Sequence, residues 1–153
     1  MFLLIYTMRN QQYQLKFSKS FTMFEFVSEG PKGQITKLVS YSESSVEGIY
    51  NLGFGDKLVD EDDFDDEVIT NNRDSLKVLA TVAATVYTFT DNYPEALVLA
   101  TGSTSARTRL YRMSISNNLE LIEVDFDILG FINGQWEKFK KNRNYTAFLL
   151  TRK

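Results

Sequence analysis

The chain has no histidine, no cysteine and only two prolines in 153 residues. Without histidine it can hold no Ser-His-Asp triad, no imidazole general base and no histidine-ligated metal. Without cysteine it has no disulfide, no thiolate nucleophile and no cysteine-bound zinc, a composition compatible with a reducing cytoplasm, the expected location. Chemistry, if any, falls to carboxylates, Tyr, Lys, Arg, Ser or Thr, to an oxygen-held metal, or to the substrate itself. Long apolar runs are also missing. Phe2 to Tyr6 is too short to cross a bilayer, and it lacks the basic start and small-residue cleavage site of a secretory signal. It reads as an N-terminal strand, or as an extension from an early start codon with Met8 as the alternative to Met1. No membrane association is expected. A net charge of −3 gives no whole-molecule attraction to nucleic acid, so nucleic acid is not an expected partner, although a local basic groove is allowed.

What is present suits one packed core. With 43% hydrophobic and 14% aromatic residues, the expectation is a single α+β domain over residues 1–153. Phe24 and Phe26 alternate with polar neighbours, Gly30-Pro31-Lys32-Gly33 is a turn signal, and Ile35, Lys37, Val39 and Tyr41 continue as a strand with one side partly polar. Residues 22 to 41 therefore predict a β-hairpin. Tyr13 to Phe17 can add an edge strand. Tyr50, Leu52 and Phe54 alternate in a further strand ending in Gly53-Phe54-Gly55-Asp56.

Seven of the eight residues in DEDDFDDE, 60 to 67, are acidic. An EF-hand loop would need a central glycine and a ligand spacing that this run lacks, so no metal site is assigned to it. Crowded like charges favour a hydrated surface loop. A helix is then predicted from Ser75 to about Thr90. Leu76, Leu79, Ala80, Ala83, Val86 and Tyr87 form one apolar stripe, and Val78, Val82 and Phe89 a second. Pro94 stops it.

The most informative stretch is ALVLATGSTSARTRLYR, residues 96 to 112. Ala96 to Ala100 predicts a buried central strand. Gly102 permits a sharp turn, and Ser103 or Thr104 can cap the helix that follows. A helix start aims backbone N–H groups at one point and favours an anion there. Arg107, Arg109 and Arg112 follow within three turns. Arg109 and Arg112 share a face, Arg107 points partly away, and Ala106, Leu110 and Met113 are the expected buried stripe. The stretch matches neither GxxxxGK[ST] nor GxGxxG. The competing reading gives these arginines ordinary surface ion pairs.

Asn117-Asn118 suggests the helix end. Phe126 to Ile132 and Tyr145 to Leu150 predict two closing strands, separated by Asn133-Gly134 and a basic stretch from Lys138 to Arg143. Trp136 and Phe139 interleave with these lysines, a pattern that serves single-stranded nucleic acid or simply ends a strand in a solvated loop. The predicted order is β-β-β-β-α-β-α-β-β: a mostly antiparallel, twisted sheet with two main helices.

YNLGFGD (50 to 56), KVLATVAATVYTFTDNYPEALVLATGSTSARTRLYRM (77 to 113), VSEGPKG (27 to 33) and the closing NYTAFLLTRK (144 to 153) resemble an uncharacterised family of small bacterial proteins, which carries no established activity. The element order is also similar to the GCN5-related acetyltransferase fold without its two early helices. That resemblance implies coenzyme A chemistry with Tyr111, near Ala106 and Leu110, as proton donor to the departing thiolate; Asp56, which Gly53-Phe54-Gly55-Asp56 could place beside a pocket, is the candidate carboxylate from the residues themselves. The chain departs from the family pattern in two places. Its Ala-to-Leu spacing is four instead of three, with Ser103 in place of Asn, and Asn71-Asn72-Arg73-Asp74-Ser75 stands where a glycine-rich pyrophosphate loop belongs. Tyr111 could equally pack in the core with its hydroxyl at the surface.

Three functions follow as expectations. The first is binding of a phosphate-bearing ligand (nucleotide, coenzyme or RNA phosphate) at Gly102, Ser103, Thr104, Arg107, Arg109 and Arg112. The second is non-catalytic binding of a protein partner or a second copy of the chain. The third is a degenerate acyltransferase. No cofactor is specified by the residues.

Overall fold

A computed structural model describes residues 12–58 and 72–153, together with the backbone of residues 64 and 65. Phe2 to Tyr6, Met8 and the side chains of the acidic run lie outside the described residues. The protein is α+β. Its sheet is mostly antiparallel. The elements are β1 (Lys16–Phe17), β2 (Met23–Gly30), β3 (Gly33–Glu43), β4 (Ile49–Lys57), β5 (Phe64–Asp65), α1 (Ser75–Asn92), β6 (Leu97–Ala100), α2 (Ser105–Asn117), α3 (Leu119–Asp125), β7 (Phe126–Ile132), β8 (Gln135–Lys138) and β9 (Ala147–Arg152). They fall into two compact units, and β3 and β4 each contribute residues to both.

The first unit comprises the described residues of 12–41 and 53–92. Here β1, β2 and β3 form an antiparallel meander, and Gly30 pairs with Gly33 across the Pro31-Lys32 loop, as the turn signal predicts. The far end of β4 pairs with β5. Phe24, Phe26, Val39 and Tyr41 face the core, and α1 supplies Val78, Val82, Val86 and Phe89. The second predicted stripe is thus wholly buried, whereas the first is buried at Val86, half-buried at Leu79, Ala80, Ala83 and Tyr87, and leaves Leu76 78% exposed. Tyr41 joins strand to helix, stacking on Phe89 at 4.2 Å and sharing a 2.7 Å hydrogen bond with Thr85. Three threonines lie on the buried face because their hydroxyls are satisfied locally. Thr81 donates to Lys77 O, Thr85 to Val82 O and Thr90 to Val86 O, at 2.6–2.8 Å.

A polar cluster fastens the helix start to the hairpin. Asp74 accepts from Tyr13 Oη (2.6 Å) and Ser28 Oγ (2.5 Å), and Asn72 Nδ2 donates to Gly33 O (2.8 Å). Gly30 has no room for a side chain, since a methyl there would run into Asn72.

The second unit comprises residues 42–52 and 93–153, with strand order β4-β6-β9-β7-β8. The central strand β6 lies between β4 (parallel) and β9 (antiparallel). Val98, Ala100, Ile128, Phe148 and Leu150 are buried, whereas Leu97, Leu99, Leu129, Phe131 and Leu149, which alternate with them, are half-buried. Strand β7 begins and ends where the sequence places it, and β9 starts two residues later than expected. Two elements are additional. Asn133 (φ 52°) and Gly134 (φ 76°) form a two-residue left-handed turn that brings β8 back against β7. The seven-residue α3 precedes β7. Tyr145 packs its ring over Gly130 and donates to Glu137 Oε2 at 2.8 Å, and Glu137 is also paired with Arg143 at 3.0 Å.

Candidate functional site

The junction between β6 and α2 is built by two local requirements. Gly102 is needed for space: a methyl there would overlap the Thr108 backbone nitrogen and Oγ1 and lie 2.8 Å from Thr104 O. Thr104, not Ser103, is the cap. Its backbone is extended (φ −129°, ψ 160°), and its Oγ1 accepts from Arg107 N at 3.2 Å while its carbonyl accepts from Thr108 N at 3.1 Å. Ser105 and Ala106 open the helix, so their N–H groups have no acceptor within it. Thr101, Ser103, Thr104, Ser105 and Ala106 are all exposed, which leaves the positive end of α2 open to solvent.

The three arginines separate. Arg109 is exposed and Arg112 half-exposed, and neither side chain has an ion pair or hydrogen bond with any described residue. Ion pairing within the described chain therefore does not account for them. Arg107 does point away, as its spacing predicts, but it is only 2% exposed and shares a buried stripe with Tyr111 and Ile115. This corrects the expected stripe of Ala106, Leu110 and Met113, since Ala106 is exposed and Met113 is 45% exposed. The physical reason is that Tyr111 and Ile115 bring far more apolar surface to their face than Ala106 brings to its own, and an arginine's three-carbon stem tolerates burial beside them. Arg107 thus contributes its backbone to the junction and its side chain to the interior.

Tyr111 is 6% exposed with its hydroxyl buried, against the expectation of a surface hydroxyl. Burial pushes its pKa well above the usual tyrosine value, and the positive charge of Arg107 offsets only part of that rise. A hydroxyl so placed is a weaker acid than a free tyrosine and sits out of reach of solvent. Asp56, on β4 of the first unit, is committed to an ion pair with Lys37, which is 1% exposed. The partly polar side of β3 is therefore core, with its lysine neutralised by the Asp56 carboxylate.

The closing hairpin divides Trp136 from Phe139. Phe139 is buried against Tyr145 and Phe148, while Trp136 is 43% exposed and leans on Phe131 at 5.1 Å. Sequence reasoning passed over the Tyr13–Ser28–Asp74 and Tyr145–Glu137–Arg143 clusters. The partners in the first are up to 61 positions apart, and no local spacing announces them. No helix among the described residues is long and apolar enough to cross a membrane.

The comparison that decides kinship is the match of residues 9–153 to one family model. The chain belongs to DUF6934, a family of unknown function. The DUF6934 match takes in both described units and the whole β6–α2 junction. No curated protein and no solved structure matches the chain.

Proposed function

We propose that this protein binds a phosphate-bearing ligand at the β6–α2 junction, through the N–H groups of Ser105 and Ala106 and the side chains of Arg109 and Arg112. One observation supports this most. An exposed, properly capped helix start lies within two turns of two arginines that no described carboxylate neutralises. Ser103 and Thr104 offer hydroxyl donors at the same rim. The helix dipole contributes only about 0.3–1 kcal/mol. Charge-assisted arginine contacts must supply most of the affinity. A thermal-shift screen with nucleotides, coenzyme A, sugar phosphates and short RNA tests the reading. A ligand at 100 times its Kd stabilises the fold by about 2.7 kcal/mol. No shift from any of them, or the same shift in Arg109→Ala/Arg112→Ala, counts against it.

A second reading, protein binding, draws on α3, where Leu121 and Val124 lie on one helical face and are both exposed. Sedimentation of the purified protein together with recovery of a stoichiometric partner from its native host tests that reading; a monomer with no partner leaves it without support.

A further inference from the structure

We infer that the phosphate-bearing ligand is a single-stranded nucleic acid, with Trp136 stacking a base and Lys138, Lys140 and Lys141 neutralising backbone phosphates. The inference rests on the proposed function for the junction itself and on the β7–β8 hairpin for everything else. Trp136 and Lys138 are two residues apart on β8 and so share one side of the strand. Trp136 is held by the ring of Phe131, its cross-strand neighbour, and still leaves 43% of itself to solvent. A large apolar ring kept exposed in a fixed orientation is what stacking on a base requires.

The cations around it are uncommitted. Lys138, Lys140 and Lys141 are exposed, and their ammonium groups have no partner among the described residues. Glu137, the one acid in this segment, is occupied by Arg143 and Tyr145. The hairpin is therefore a local basic surface on a chain whose net charge is −3.

Strand register connects this surface to the junction. Ala100 lies beside Phe148, Phe148 beside Gly130 and Gly130 beside Glu137. Thr101 and Trp136 are each one residue past that row, toward the same end of the sheet. They are three strand spacings apart, about 14 Å. That span is longer than the distance from a base to its own α-phosphate, so an oligonucleotide reaches both places and a nucleoside monophosphate does not. An acidic peptide would satisfy the lysines, but it offers Trp136 a face to stack on only where it carries an aromatic residue, whereas every nucleotide carries one.

Trp136 is the only tryptophan, so its fluorescence reports the hairpin directly. The test titrates the protein at low salt with dodecamers of deoxythymidine and of uridine, with a duplex of equal length, and with heparin. The expected result is quenching by the single strands, with the stronger of the two telling DNA from RNA. Five cationic phosphate contacts, three lysines at the hairpin and two arginines at the junction, predict a log–log salt slope of about −3.5. Measured with a labelled oligonucleotide, Trp136→Ala should weaken binding at least about fivefold. Lys138→Ala/Lys140→Ala/Lys141→Ala should flatten the salt slope, with an unchanged melting temperature showing that each variant is folded. Equal affinity for heparin or duplex, or no change in Trp136 emission, overturns the inference. If nucleotides still shift the melting temperature through Arg109 and Arg112 while emission stays unchanged, the hairpin assignment fails and the junction stands. If the dodecamer quenches Trp136 but Arg109→Ala/Arg112→Ala binds it equally well, the junction fails and the hairpin stands.

Discussion

Replacing Gly102 with alanine should damage the junction more than any other single methyl group there. The added carbon would meet the Thr108 backbone nitrogen, which cannot rotate away, as well as Thr108 Oγ1 and Thr104 O. To admit it, the first turn of α2 must move off the strand end, and the Thr104–Arg107 cap is strained in the process. Overpacking of this kind costs about 1–3 kcal/mol, and loss of an N-cap about 1 kcal/mol. The combined expectation is a loss of about 2–4 kcal/mol, or roughly 5–15 °C in Tm for a chain of this size. Calorimetry or circular dichroism melts would measure it. Adding Thr108→Ala removes only the side-chain part of the clash, so the double variant should recover less than half of the loss. Gly48→Ala is a useful comparison, since its methyl would meet nothing and its cost is that of a positive φ (85°) alone. A Gly102→Ala protein melting within 1 °C of wild type (about 0.3 kcal/mol or less) would refute the account of how this turn is built.

Other outcomes follow from the same structure. Thr104→Ala should destabilise the protein by about 1 kcal/mol, and Thr104→Ser by much less, in denaturant unfolding. Asp56→Ala should cost about 3–5 kcal/mol by removing the carboxylate paired with buried Lys37, whereas Lys37→Met/Asp56→Leu should come within about 1 kcal/mol of wild type. Burial raises the pKa of Tyr13, Tyr111 and Tyr145, helped in Tyr13 by Asp74 and in Tyr145 by Glu137. Their stabilising contribution is whole below the unfolded value near 10 and falls as pH rises above it, because the unfolded chain then releases protons that the folded chain keeps. The alkaline limb of a stability–pH curve should therefore be shallower in Tyr111→Phe, by up to about 1.4 kcal/mol per pH unit above 10.

The hairpin of β2 and β3 was readable because alternation and a two-residue turn signal agreed, and β7 because its apolar run is bounded by clear punctuation. α3 was not readable: LELIEVD runs straight into β7, and seven residues are too few for a period to show. β8 was missed because QWEK, an exposed edge strand, has no buried alternation. The misplaced stripe on α2 has a more instructive cause. Positions 107, 111 and 115 are a proper helical set, but counting arginine as polar hid it behind the more apolar Ala106, Leu110 and Met113. Lys37 counted as polar in the same way, and the threonines of α1 entered neither of its apolar stripes. Each is buried through a partner or a local carbonyl that one-dimensional polarity does not reveal. The junction itself was legible, since Gly102, the capping threonine and Arg109 with Arg112 all depend on short-range geometry.

The central claim, a phosphate at the start of α2, is tested most directly by amide chemical shifts of isotope-labelled protein during titration with a phosphate-bearing ligand. The account predicts that the Ser105 and Ala106 N–H resonances move first and furthest, and that these shifts disappear in Arg109→Ala/Arg112→Ala. Shifts confined to other segments, or the same Ser105 and Ala106 shifts without the two arginines, would contradict it.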